Sequence, residues 1–168
     1  HTRYPLVTGV QTCALPIFPT EQDVELLVLA SEHTNNYSNT EQLKDWKKLY
    51  SNDQRITIIP GVVSHRDMAN IMSKSNCGIF PSRAEGWNLE LLEMMAMNKP
   101  VIATNYSSHT EFCNTQNTYL VDINTTEIAH DGKAFYGQGN WAKLGQSQYD
   151  QIVEHMRYVY RKIGRAHV

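Results

Sequence analysis

The chain has 168 residues, with 15 basic and 17 acidic side chains and a formal net charge of −2 at pH 7. That balance offers no bulk attraction to nucleic acid, and no run of residues is long and apolar enough to span a membrane. Cys13, Cys77 and Cys113 show no CxxC spacing, which argues against a disulfide scaffold and fits a reducing compartment.

The two ends stand apart from the rest. Val7–Ile17 reads VTGVQTCALPI and Ile163–Val168 reads IGRAHV. Both can be written in codons that resemble a sequencing adapter, the second string being the reverse complement of part of the first. Residues 1–17 and 163–168 are therefore read as non-native and set aside from the fold. A native N-terminal strand and loop is the plain alternative. A secretory signal fits worse, because polar residues interrupt the apolar run. Residues 18–162 suffice for one domain with its own core.

Val24–Ser31, VELLVLAS, is a continuous apolar run, as expected of a strand covered on both faces. Glu32–Asn39 is polar and reads as a loop. Thr40 can cap a helix over 41–50, where Leu43, Trp46, Leu49 and Tyr50 recur at helical spacing. Ile56–Pro60 is a second strand, and Gly61 begins a loop. Ser64 starts a helix over about 65–75, with Asp67 in capping-box position. Cys77–Phe80 is a third strand, Leu89–Met97 a helix and Pro100–Thr104 a fourth strand. Thr110–Cys113 reads as one helical turn and Thr118–Val121 as a short fifth strand. Thr125–Gly145 has few apolar residues and reads as loop or a wandering surface segment. Ser147 can cap a final helix through Lys162, with Ile152, Val153, Met156, Val159 and Tyr160 on one face. Strands alternating with helices predict an α/β fold with a parallel sheet and right-handed crossovers.

Polar groups gather where the third strand ends. Pro81–Thr104 reads PSRAEGWNLELLEMMAMNKPVIAT, with Glu85 in a loop, Glu93 in a helix and seven residues between them. Open α/β sheets bind ligands at this edge. Ser82, Arg83, Glu85, Gly86, Leu89, Leu92, Glu93, Met95, Ala96 and the run Pro100–Thr104 resemble, in register, the donor-binding signature of retaining group 1 glycosyltransferases. The resemblance covers about residues 24–122. It implies a Rossmann-like parallel sheet flanked by helices, the C-terminal lobe of a GT-B fold. The parent enzyme would transfer a hexosyl group from a nucleotide diphosphate sugar to an acceptor, with retention. No metal or other cofactor is expected, and no Asp-x-Asp motif occurs. The acceptor, whether glycan, lipid or protein, is not specified. The family's N-terminal lobe and its basic phosphate-binding pair are missing, so the chain reads as a fragment inactive alone. The parent would be cytoplasmic, or sit at the membrane surface.

The resemblance also assigns roles. Glu93 matches the glutamate that holds the ribose, and a carboxylate can accept both ribose hydroxyls at once. Glu85 matches the one beside the donor sugar or its phosphate and is the catalytic candidate. Gly86, Trp87, Asn88 and Leu89 lead into a helix N-terminus, whose free N–H groups and dipole favour a phosphate. Arg83 is a donor-binding candidate or an ion-pair partner of Glu85. Asn88 and Asn98 stand where the family often has Gly, and Asn tolerates left-handed backbone angles. Trp87 replaces the usual Phe, and Glu90 suits the start of a helix. Ser107 and Ser108 replace two glycines in a second loop, where they can bond the donor or cap a short helix. His109 reads as structural rather than as a proton carrier, and Trp141 as packing. Two other functions fit the same alternation: a nucleotide-sugar epimerase of the same two-lobe plan, and a non-catalytic nucleotide-binding α/β domain.

Overall fold

The structure, a computed structural model, describes residues 18, 23–30, 54–60, 64–132 and 134–165. The chain divides into two compact units, residues 1–71 and 72–168. In the first, β1 (Leu26–Ala30) and β2 (Ile56–Pro60) pair in parallel, from Leu26 opposite Ile56 to Ala30 opposite Pro60. Leu26 N–H donates to the Arg55 carbonyl at 2.8 Å where the ladder begins. Helix α1 (His65–Lys74) starts after Ser64, whose hydroxyl accepts from Asp67 N–H at 3.1 Å and donates to the Asp67 carboxylate at 2.6 Å. That exchange satisfies one of the free N–H groups of the first turn. The predicted helix over 41–50, the loop over 32–39, Gly61 and residues 1–17 lie outside the described residues.

The second unit holds a parallel sheet in the order β3-β4-β5, from Gly78–Phe80, Val101–Thr104 and Tyr119–Val121. Helix α2 (Leu89–Ala96) links β3 to β4 and packs against both. The single turn α3 (His109–Phe112) precedes β5. The last helix, α4 (Gln146–Arg165), packs against β4 and β5 and runs past Lys162, where the apolar repeat ends. Every residue of β4 is buried, which fits its uninterrupted apolar run. Ile102 packs with Val121 and with Ile152 of α4. Val101 and Ala103 point to the opposite face. The fold is thus mixed α/β, parallel strands flanked by helices. No helix among the described residues is long and apolar enough to cross a membrane.

The segment 125–145 needs correction. It is a hairpin of β6 (Thr126–His130) and β7 (Tyr136–Ala142), paired antiparallel with a bulge between Ile128 and His130. Asp131 Oδ1 accepts from Ala134 and Phe135 N–H, both at 2.9 Å, and Gly132 takes a φ of 70°. Asp-Gly is a strong hairpin signal. The flanking strands hide it, because their side chains are exposed almost throughout and the apolar alternation of a half-buried strand is missing.

Leu91 of α2 has no exposed surface. Leu91→Ala is expected to lower the unfolding free energy by about 2–5 kcal/mol, read as a fall in the urea midpoint.

Candidate functional site

Phe80 pairs with Ala103, so β3 and β4 end within one residue of each other and send two loops from the same sheet edge. The loops are 81–88 and 105–108. Thr104, fully buried, donates its hydroxyl to the Ser82 carbonyl at 2.6 Å and ties the two together. Glu85 is then held twice. Its Oε1 accepts from the Ser82 hydroxyl at 2.8 Å. Its backbone is clasped by Ser107, whose hydroxyl donates to Glu85 O at 2.8 Å and accepts from Glu85 N–H at 3.3 Å. Ser107 does this from a left-handed backbone, φ 59°. Its neighbour Ser108 precedes α3 without capping it, and its buried hydroxyl has no partner among the described residues.

Asn88 begins α2 at φ 54° and ψ 70°, in the left-handed region. Its Oδ1 accepts from Leu91 N–H at 3.4 Å, and its Nδ2 lies 2.9 Å from His109 Nε2. The His109 ring, 1% exposed, puts Nδ1 2.9 Å from the Thr104 carbonyl. Burial pushes the His109 pKa below its ordinary value, against opposing contributions from that bond and from the charge of Glu85. Burial has the reverse effect on the thiols: Cys77 is pushed up to about 12 and Cys113 is raised. Both stay protonated near neutrality and are poor nucleophiles.

Gly86, Trp87 and Leu89 are exposed, the last two at 63% and 62%. Trp87 stacks on Phe112, with rings 6.5 Å apart and 13° from parallel. A Cβ on Gly86 would meet nothing within 4 Å, and its φ is not positive, so the protein itself does not demand glycine there. Glu93, in α2, is half-buried. Its carboxylate makes no hydrogen bond or ion pair among the described residues.

Arg83 is fully engaged by the hairpin rather than by Glu85. It forms an ion pair with Glu127, donates Nε–H to Ala142 O at 3.2 Å and lies 4.6 Å over the Trp141 ring. The Ala142 N–H returns a bond to Arg83 O at 2.8 Å. Tyr106 of the second loop donates its hydroxyl to Asn140 O at 3.0 Å. The hairpin thus buttresses both loops, a role that reading 125–145 as loop did not bring out. Arg83→Leu is expected to cost about 1–2 kcal/mol and to speed amide exchange along β6 and β7, with α2 little changed.

The chain matches the family model described as "Glycosyl transferases group 1" over residues 12–134. That span includes both glutamates and both loops. A search of curated proteins finds no match. Among solved structures, a chain in the crystal structure of the GtfA/B complex is similar at 12% identity and a TM-score of 0.63. The similarity covers 92% of this chain and 26% of that one, so this chain spans about a quarter of its length. At that identity the likeness speaks for the fold alone, a GT-B arrangement. The family match extends over most of the sequence and includes the loops that carry Glu85 and Glu93: the chain belongs to the group 1 glycosyl transferases.

Proposed function

We propose that this chain binds the nucleotide diphosphate sugar for a retaining hexosyltransferase, as the C-terminal lobe of its parent. The observation that carries the reading is half-buried Glu93, whose carboxylate no described side chain or backbone group engages, leaving both oxygens open to a ligand. A ligand with two adjacent hydroxyls, such as a ribose, would satisfy both of its oxygens. Gly86 supports the same reading, since nothing in the protein requires its missing side chain. The amides around 86–89 and the N-terminus of α2 are suited to the diphosphate. Glu85, fixed by Ser82 and Ser107, would stand beside the sugar. In the transfer the bond from the anomeric carbon to the diphosphate oxygen breaks, the acceptor oxygen bonds the same face of the sugar, and the proton of the acceptor hydroxyl passes to the departing diphosphate or to water. The contribution of this chain is to hold the donor and to stabilise charge growing on the departing diphosphate. The acceptor and the remaining machinery belong to a second lobe, so the chain alone is expected to bind without turnover.

Calorimetric titration of the chain with UDP, GDP and ADP tests this. One of them should bind saturably, and Glu93→Ala should weaken it at least about tenfold, roughly 1.4 kcal/mol. Gly86→Val should weaken it comparably while shifting stability by less than about 0.5 kcal/mol, as for an open surface site. A folded chain that binds none of the three, or a Glu93→Ala variant with unchanged affinity, would overturn the reading.

A further inference from the structure

The link from Asn88 to His109 has a direction that the protein dictates. The Thr104 carbonyl can only accept, so His109 Nδ1 must carry the hydrogen shared between them. The Thr104 hydroxyl is committed to Ser82 O and supplies no hydrogen to the ring. In a neutral ring Nε2 is then a bare lone pair. It can only accept, and the group facing it is the Asn88 amide. An amide can flip, exchanging its oxygen and nitrogen at little cost. Here the flip is forbidden: it would aim Oδ1 at the Nε2 lone pair and Nδ2 at the Leu91 N–H. One orientation alone places Oδ1 within reach of Leu91 N–H, which it shares at 3.4 Å with the Asn88 carbonyl at 3.1 Å.

We propose that His109 is a positioning residue for the donor loop: its unprotonated Nε2 fixes the Asn88 amide, and Asn88 in turn fixes the first turn of α2. The proposal rests on the donor-site reading for its effect on binding, and on geometry alone for its effect on the helix. Asn88 needs this help because it holds a left-handed conformation at the entry to an eight-residue helix, too short to persist unaided. A proton on Nε2 would reverse the logic. Donor would then face donor, and a compensating flip would put Nδ2 against Leu91 N–H and leave that N–H with the Asn88 carbonyl alone. Among the groups against the ring, Glu85 carries a charge, while Thr104, Asn88 and Phe112 do not. Because burial favours the neutral ring in the folded state, the unfolded chain takes up the proton first. Stability supplied by this link is therefore present above the ordinary histidine pKa and falls as the pH drops below it.

The test uses the full chain, with amide exchange at Leu91, nitrogen NMR of the imidazole and titration with UDP, GDP and ADP. The wild-type ring should show a hydrogen on Nδ1 and none on Nε2 near pH 7.5. His109→Leu should speed Leu91 exchange and weaken diphosphate binding about tenfold, the scale of a lost cap. His109→Gln, which restores an acceptor near the Nε2 position, should return both to within about threefold. The wild type should also lose affinity as the pH falls below about 6.5, the ordinary histidine value, because burial holds the folded ring's pKa lower still, and His109→Gln should not. Asn88→Gly cuts the same link from the other side and serves if His109→Leu does not fold. If the chain binds no diphosphate but Leu91 exchange still follows the variants, the donor reading falls and the positioning role stands. Leu91 exchange indifferent to His109→Leu or Asn88→Gly, or a pH response that survives in His109→Gln, would overturn the proposal.

Discussion

At the end of β4 the buried Thr104 hydroxyl reaches across the parallel pair to the Ser82 carbonyl. Phe80 lies against Ala103, so β4 runs one residue past the end of β3 and brings Thr104 beside the start of the first loop. The Thr104 carbonyl takes the hydrogen of the His109 ring, so one residue anchors both loops of the site. Its burial gives these bonds their weight, since an unmet polar group there would cost about 1–3 kcal/mol. The position of Glu85, the clasp from Ser107 and the cap on α2 all follow from that junction.

Helix α2 shows how a short element is made to persist. It is closed at both ends by asparagines in left-handed conformations. Asn88 caps the first turn. At the far end Asn98, φ 55°, lets Lys99 N–H reach Met94 O and Asn98 N–H reach Met95 O, the double bond of a Schellman turn. Between the caps Leu91 and Met94 are buried, whereas Leu89 is exposed. The helix is therefore held by its core face and its caps, and its N-terminal face is left to water or a ligand.

Much of this was legible in the sequence, for stated reasons. The buried strands are continuous apolar runs, so the α/β alternation can be read directly. Of the four residues standing where the group 1 pattern has glycine, Asn88, Asn98 and Ser107 take positive φ, and Ser108, φ −59°, does not. The backbone demand survives the substitution, and the resemblance carried it. What could not be read was the use made of the new side chains. Asn88 bonds a residue 21 positions away and Ser107 one 22 positions away, distances that no local pattern encodes. Arg83 shows the same limit. Its sequence neighbour Glu85 was the obvious partner, but Glu127, 44 positions on, takes that place. The hairpin that delivers Glu127 was itself obscured by exposed, polar strands.

The hairpin meets the first loop main chain to main chain, through Ala142 N–H and Arg83 O. A bond of that kind has no side chain to lose. Ala142, with no exposed surface, tolerates little change, Gly137 and Gly139 hold positive φ and Glu127 pairs with Arg83, but the other positions of β6 and β7 mostly face outward. Substitutions at those remaining outward positions are expected to leave the edge beside Glu85 where it is. The hairpin is thus the part of this lobe on which divergence can accumulate at small cost to the fold.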